Sequence, residues 1–321
     1  MTIATTTFTR FDAIGVREEL SNNISNIAPT ETPFMSNAKI GKVANTLFEF
    51  QTDTLGAAVS SNYQLEGDTI SAFTAVVPTV RMTNHCQISH KTGSVSGTVE
   101  VVKSAGGAND KAYVAAKISK ELKRDMETML LANLAAAAGN TTTARRSAGL
   151  MAWIKTNQNN GGGAAAAPSY TTLPNDVWTE PSGRAFTEVI TKNVLQQCFT
   201  SGADTSTIMV GAWNKQAFSS FSGIAEVHYN ATGKGQVAII GAADTYRSDF
   251  GLLSVVPNRF QKQSVALFID WDMVQVNYLR TFHTEDLAKR GDSKDFVIRA
   301  EYGLKVANEK GLGIAVGLTT S

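Results

Sequence analysis

Charged side chains are scarce in this sequence, and the two signs nearly cancel. Asp, Glu, Lys and Arg make up 18% of the 321 residues and leave a net charge of +1, whereas a typical domain has ~25% charged residues. Proteins that bind nucleic acid strongly concentrate Lys and Arg to neutralise phosphates, so this composition argues against that class. The tight basic clusters, Lys120/Lys123/Arg124 and Arg145/Arg146, are interpreted as solvated helix and loop positions.

Cysteine is also rare, and long apolar runs are missing. Cys86 and Cys198 are the only two thiols; they lie far apart in no motif, which fits a reducing compartment with unpaired thiols. No apolar run reaches the ~20 residues needed to cross a bilayer. No charged leader precedes an apolar run near Met1, so no signal peptide is predicted. A chain of 321 residues can still bury a core without covalent staples.

The sequence contains partial matches to metal-binding and nucleophilic motifs, but each match lacks a required residue. Ser36–Lys39 and Lys91–Gly93 match two of three β-lactamase elements, yet the third is missing. His85, Cys86 and His90 have side chains that suit zinc. Neighbouring residues on an extended strand point to opposite faces, however, and no other ligand cluster exists, so no metal site is predicted.

A carboxylate pair is the remaining imitation of an active site. Asp270 and Asp272 are expected on one strand face, like the two carboxylates of a glycosidase, but acids near a strand end usually cap turns. With four histidines and no convergent triad, the sequence predicts no catalytic residue, no cofactor and no enzyme.

The strongest local signal is one long amphipathic helix over residues 111–138. Asp110 stands at the N-cap position, and Gly139 stands where a left-handed terminating residue belongs. Uninterrupted, this helix would be ~42 Å long. Apolar residues recur at three-and-four spacing, at Ala115, Ile118, Leu122, Met126, Met129, Leu130 and Leu134. The helix is expected to act as a beam, with its core contacts at Ile118, Leu122, Met126 and Met129.

The outer face of that helix is predicted to be solvated. Lys117 and Glu121, and likewise Lys123 and Glu127, lie four residues apart, a spacing at which opposite charges support a helix by a few tenths of a kcal/mol per pair.

The residues before the helix predict an arm and a projecting hairpin. The first forty residues are rich in polar side chains, especially Thr and Asn, and contain a short amphipathic run with Leu20, Ile24 and Ile27 on one helical face; prolines follow. From Asn45 the pattern becomes alternating, and a second extended run covers Val76–Ser96, with a polar tip between the two runs. A hairpin alone in water is marginal at best, so a projecting one implies a partner surface.

The remainder alternates short strands with two helices. Arg184–Ser201 and Trp213–Phe221 are predicted helices. The predicted strands are Thr207–Val210, Leu252–Val256, Ala266–Ile269, Val274–Leu279 and two closing strands, Asp295–Asn308 and Leu312–Leu318, about a turn at Glu309–Gly311. The sum is an α+β fold with more strand than helix.

Several segments resemble the major capsid proteins of tailed bacteriophages. The segments are Arg17–Phe34, Phe48–Leu55, Val95–Thr98, Lys120–Thr128 and Gly149–Asn157. The resemblance covers nearly the whole chain and is weakest at Gln158–Ser182.

The resemblance implies the Hong Kong-type capsid fold. Its expected parts are an N-terminal arm (1–44), an extended β-hairpin or E-loop (45–96), a peripheral domain (97–199) with the spine helix (111–138), an axial domain (200–278) and closing strands of the peripheral domain (279–321). A subunit-interface role is expected for Leu20, Ile24, Ile27, Phe34, Phe48 and Phe50.

The function implied is that of a shell subunit. It would assemble into hexamers and pentamers of an icosahedral head around double-stranded DNA, contacted non-specifically, in the virion after assembly in the bacterial cytoplasm. The implied partners are separate scaffolding and portal proteins, and a decoration protein where one exists. No membrane partner is implied. A bacterial nanocompartment shell and an enzyme with an unrecognised site are the alternatives; neighbouring terminase and portal genes would favour the phage head.

Overall fold

A computed structural model of the chain describes residues 31–67, 69–70, 73, 75–102, 110–162, 165–221 and 244–320. Within these ranges the helices are α1 (Pro33–Asn37), α2 (Gly97–Val101), α3 (Asp110–Leu131), α4 (Leu150–Trp153), α5 (Glu188–Thr200) and α6 (Ala212–Ser219). Single 3₁₀ turns cover Trp271–Met273 and Glu309–Gly311. No helix in the described ranges is both long enough and apolar enough to cross a membrane.

The strands form three sheets. They are β1 (Lys39–Lys42), β2 (Leu47–Thr52), β3 (Val80–His85), β4 (Gln87–Ser96), β5 (Gln158–Asn159), β6 (Thr207–Val210), β7 (Thr245–Ser248), β8 (Gly251–Pro257), β9 (Ala266–Ile269), β10 (Val274–Asp286), β11 (Ser293–Val306) and β12 (Gly313–Ala315). The sheet orders are β1-β10-β11-β4, β5-β12-β9-β6-β8-β7 and β2-β3. This mixture of segregated helices and mostly antiparallel sheets confirms the predicted α+β class.

The four-stranded sheet carries α3 across one face. Strong helix formers fill α3, and its buried stripe packs on apolar residues of β11 such as Phe296 and Ile298. A Cβ at Gly93 of β4 would lie only 2.8 Å from Cδ1 of Ile118, so the missing side chain lets the helix approach the sheet. The helix and sheet thus share one core.

The six-stranded sheet has its own helices and core. All four residues of β6 and all four of β9 are buried, as expected for central strands covered on both faces. Apolar residues of α5 and α6, including Val194 and Phe218, pack against this sheet. Because these runs are short, rich in β-branched or apolar residues and bounded by turns, the bounds of β6 and β9 match those read from the sequence.

The second extended run, Val76–Ser96, is two strands in two sheets rather than one arm of a long hairpin. β3 pairs with β2, whereas β4 pairs with β11. The chain changes sheet at Cys86, whose N–H donates to the Thr46 carbonyl at 2.8 Å and whose carbonyl accepts from Arg145 Nε at 2.7 Å. These contacts fix the corner, so the hairpin proper ends at His85.

The long helix ends at Leu131, not at Ala138 as predicted, and is therefore ~33 Å long. Alanine favours helix locally, but Ala137 exchanges backbone hydrogen bonds of 3.0 Å with Arg146 instead. Gly139 does adopt the left-handed conformation, with φ at 73°, within the turn between these two residues. Tertiary pairing overrides propensity here.

The two closing strands do not pair with each other. The turn at Glu309–Gly311 is present, but β11 pairs with β10 and β4, and β12 pairs with β9 and β5. Alternation along a strand does not identify its partner. The predicted boundary at 278/279 therefore cuts through β10, and the closing segment 279–321 contributes to both large sheets.

Two other predicted boundaries also differ from the structure. α5 falls in the predicted peripheral domain, yet it packs against β12 of the six-stranded sheet. The predicted arm, 1–44, overlaps the folded body, because α1 is buried at Phe34 and β1 pairs in parallel with β10. Residues 1–30 of that arm lie outside the described residues.

Candidate subunit interface

The hairpin tip, residues 53–79, carries many exposed apolar side chains. Every described residue in this span is exposed. Two of them, Leu55 and Phe73, keep 97% and 93% of their surface accessible. Other exposed apolar residues of the tip are Val59, Tyr63, Leu65, Ile70, Val76 and Val77. A soluble monomer rarely presents so many together, and such patches mark interaction sites.

The base of the hairpin is fixed to its own subunit. Phe48 is buried against Gly303 of β11, where a Cβ would lie 2.6 Å from the Phe48 ring. Half-buried Phe50 lies 6.0 Å from the Trp153 ring, and Lys305 Nζ lies 5.3 Å from its centroid. The expectation of an interface at Phe48 is therefore corrected, since its ring contacts its own sheet, while Phe50 keeps a partly exposed ring.

The segment that enters the fold from the N-terminal side is fastened by a buried carboxylate. Glu127 on α3 is fully buried. Its Oε1 accepts hydrogen bonds from Phe34 N at 2.8 Å and Asn258 Nδ2 at 2.7 Å, and its Oε2 accepts from Met35 N at 2.9 Å. One side chain therefore joins α1, α3 and the loop after β8.

This contact corrects two expectations. Glu127 does not form the solvated pair predicted with Lys123, because it points into the core. Phe34 is fully buried and lies 5.8 Å from the Trp271 ring, so it belongs to its own subunit's core and not to an interface. Leu20, Ile24 and Ile27 lie outside the described residues, and their interface role stays a prediction.

Burial and hydrogen bonding act on the Glu127 carboxyl in opposite directions. Burial raises its pKa above the ordinary value, while the donated bonds from Met35, Phe34 and Asn258 lower it, with burial the larger influence. Burying this carboxylate therefore costs free energy, and the three donated hydrogen bonds offset part of that cost.

The predicted core positions of the spine helix occupy one side of α3. Leu122 and Met126 are fully buried, and Ile118 and Met129 are half-buried. Lys123, next to Leu122, is exposed. Burial along α3 thus changes sharply between adjacent residues, as expected for an amphipathic helix with one face on the core.

The imitated active-site motifs have structural roles. Cys86 is buried, which raises the pKa of its thiol to about 11, so it is not a reactive nucleophile. Asp270 accepts a hydrogen bond from Asp272 N at 2.9 Å, and Asp272 pairs with Lys39 at 2.6 Å. In the described part of the chain, no three His, Cys, Asp or Glu side chains converge as metal ligands.

The face of the four-stranded sheet opposite α3, called here the open face, carries a row of basic side chains. Register places His283 of β10 and His90 of β4 on either side of Arg299 of β11. The next row toward Gly303 contains Arg280, Glu301 and Ile88.

Two arginines share one buried carboxylate on this face. Arg145 Nη2 donates to Glu301 Oε1, and Arg280 Nε donates to Glu301 Oε2 at 2.9 Å. Arg145, interpreted from the sequence as solvated, is therefore held in place, and the correction follows from its contact with a buried acid. Neither Glu301 nor Glu127 had a sequence signal, because both acids lie in patterns typical of exposed positions.

Comparison with known proteins agrees with this architecture. A family model described as "SU10 major capsid protein" matches residues 1–319. The major capsid protein of Escherichia phage Phieco32 is 33% identical over 130 residues, covering 40% of this chain and 37% of that protein, so the match spans little more than a third of its length.

Solved capsids share the fold at low sequence identity. The cyanophage A-1(L) capsid asymmetric unit has a TM-score of 0.67 at 12% identity and covers 95% of this chain and 98% of its own. The capsid of a native GTA particle has a TM-score of 0.63 at 14% identity and covers 96% and 97%.

Proposed function

The chain belongs to the SU10 major capsid protein family, and we propose that it builds the icosahedral head of a tailed phage as hexamers and pentamers around double-stranded DNA. Its role is structural. The near-neutral charge of +1 suits a container whose wall must not hold packaged DNA tightly. The subunit belongs in the virion and is assembled in the host cytoplasm.

The single observation that supports assembly is the exposed hairpin tip. Fully burying a side chain such as Leu55 or Phe73 contributes ~1.5–3 kcal/mol, and association costs an estimated ~4–15 kcal/mol. Several buried tip residues therefore offset the cost of joining one neighbour. Repetition around closed rings then stabilises the whole shell.

Other virion proteins follow from the same role. A separate scaffolding protein and a portal are the proposed partners, a decoration protein is a further one where the phage encodes it, and the DNA is contacted without sequence preference.

Replacing residues 55–77 with a short Gly-Ser linker should abolish assembly without unfolding the subunit. The base of the hairpin is held at Phe48 and by the β2–β3 register, so the thermal transition should stay cooperative. Light scattering and electron microscopy should detect capsomers or shells for the full chain and monomers for the variant. Normal shells from the variant, or a full chain that stays a 34.3 kDa monomer at all salt and scaffold conditions, would contradict the proposal.

Deleting the arm through Asn26 should also separate folding from assembly. The deletion stops before the Glu127 contact with Phe34 and Met35, so that anchor is retained. Burying Leu20 and Ile24 on a neighbour would contribute ~3–6 kcal/mol. The truncated subunit should melt cooperatively yet form no closed shells. An unfolded subunit would make the arm a core element, and normal shells would remove its assembly role.

A further inference from the structure

We propose that residues 145–148, called here the latch, set the angle at which the hairpin leaves the subunit, with Arg145 as the positioning residue. The latch holds the corner between β3 and β4, residues 84–87, against β11. The direction of the hairpin is therefore coupled to the turn that follows α3. The consequence for the shape of the shell rests on the proposed function.

The hairpin has few directional contacts with the rest of its subunit. Within the described residues, β2 and β3 pair only with each other, so no strand ladder joins the hairpin to either large sheet. The rings of Phe48 and Phe50 pack on the body, but apolar packing is non-directional. One backbone bond, from Thr83 N to the Thr172 carbonyl at 2.9 Å, reaches only a loop. The angle of the hairpin therefore depends on the corner.

Arg145 joins the corner to the four-stranded sheet. Its Nε donates to the Cys86 carbonyl at 2.7 Å, and its Nη2 donates to Oε1 of Glu301 on β11. The side chain of Glu301 is only 5% exposed, so this charged pair is held away from water. The planar guanidinium fixes the corner and the sheet in one relative geometry, which the single ammonium of a lysine cannot do.

The rest of the latch holds the residues on either side of Cys86. Asn84 Oδ1 accepts from Ala148 N at 3.1 Å, and Asn84 Nδ2 donates to Ser147 Oγ at 3.0 Å. On the other side, Gln87 Oε1 accepts from Ser147 N at 3.1 Å. These polar side chains are all buried, where a lost partner is costly. The network is therefore satisfied at one corner geometry.

The latch is itself anchored beyond the end of α3 and lies beside empty space. Arg146 exchanges backbone hydrogen bonds of 3.0 Å with Ala137, and its Nε donates to the Ala135 carbonyl at 2.8 Å. A cavity of about 410 Å³ is lined by Ile88, by Arg145 and by the turn between the two bridged residues. Side chains next to such a space can move without displacing packed neighbours, so the latch can open while both cores stay intact.

The two native cysteines report whether the corner opens. Cys86 and Cys198 are both buried, but Cys198 lies in the separate core of the six-stranded sheet. Each thiol must become accessible through an opening of the structure before a reagent such as dithionitrobenzoate can reach it. Arg145→Gln should raise the rate of Cys86 modification, relative to that of Cys198, by about tenfold or more. Mass spectrometry of the two peptides measures both rates in one sample.

Arg280→Gln is the matched control. Arg280 Nε donates to Oε2 of the same Glu301 at 2.9 Å, so the change removes an equal charge but leaves the bond to the Cys86 carbonyl in place. The ratio of the two rates should match the wild type. Arg145→Lys keeps the charge but loses the fork, so the ratio should rise as it does for Arg145→Gln. An unchanged ratio in Arg145→Gln, or an equal rise at both cysteines, would overturn the latch.

Spin labels measure the angle itself. Gln51 on the hairpin and Lys117 on α3 are exposed, and both can be replaced by cysteine in a Cys86→Ala background. Electron–electron double resonance, with the labelled chain diluted in unlabelled wild type, should give one narrow distance distribution. Adding Arg145→Gln should broaden or displace it, whereas adding Arg280→Gln should not. A distribution that Arg145→Gln leaves unchanged would also overturn the latch.

Electron microscopy connects the angle to the shell. With hairpins at several angles, Arg145→Gln subunits should form irregular or unclosed particles, while Arg280→Gln subunits should close as the wild type does. Regular closed shells from Arg145→Gln would overturn the consequence for shell shape. A wild-type chain that never assembles would instead contradict the proposed function, and the thiol and distance measurements would still decide whether the latch exists.

Discussion

Leu122→Asp should leave no folded subunit. Leu122 is 1% exposed in the core between α3 and the four-stranded sheet. Losing its packing costs ~2–5 kcal/mol, and an unpaired carboxylate in its place adds several more. The sum approaches the ~5–15 kcal/mol that stabilises a typical domain. The soluble fraction after expression and the near-ultraviolet circular dichroism should both report the loss.

The adjacent Lys123→Ala is the matched control. Lys123 is exposed, so the change should alter the free energy of unfolding by no more than ~0.5 kcal/mol. If the two variants were equally stable, the buried side of α3 would be wrongly assigned.

Glu127→Ala should also destabilise the subunit strongly. It leaves the N–H groups of Phe34 and Met35 and the amide of Asn258 without an acceptor in the interior. Each of the three unsatisfied donors costs ~1–3 kcal/mol, so the free energy of unfolding should fall by roughly 3–9 kcal/mol. Denaturant unfolding should show the loss, and hydrogen exchange should show faster opening of residues 31–38.

Glu127→Gln separates charge from hydrogen bonding. The amide retains one acceptor but turns a donor toward an N–H, so some stability is lost; it also removes a buried charge, which offsets part of that loss. Because the folded pKa of Glu127 is raised, its contribution is present below the unfolded value and is lost as pH rises through the folded pKa.

The advantage of the wild type over Glu127→Gln should therefore shrink as the pH rises from the ordinary value of 4.5 through the raised pKa of the folded state. Unfolding curves of both proteins across this range measure it. An advantage that grows with pH would mean that the three donated bonds outweigh burial.

The sequence predicted those features that depend on neighbouring residues, namely the positions and the order of helices and strands. The apolar runs of β6 and β9 matched the structure, because a continuous run between turns has few alternatives. The order of hairpin, long helix and later strands also followed, and the family resemblance supplied the capsid fold, which the comparisons confirm.

The sequence did not reveal contacts between residues or strands that lie far apart in the chain. Glu127 has Lys123 four residues before it, a spacing typical of a surface pair, and only α1 and Asn258 reveal that it is buried. The alternating pattern continues through Cys86, so nothing local marks the change of sheet. Likewise β11 and β12 flank a real turn, yet each takes its partners from other parts of the chain.

The late position of β12 sets the order in which the subunit can fold. Its three residues lie between β5 and β9, so they join strands made more than a hundred residues apart in the chain. Until residue 315 has been synthesised, the six-stranded sheet is split and the strand ladder from β5 to β7 is incomplete. The pairing of β1 with β10 adds another distant closure, and such closures slow folding. A growing chain on the ribosome therefore completes the hairpin long before it can complete the six-stranded sheet.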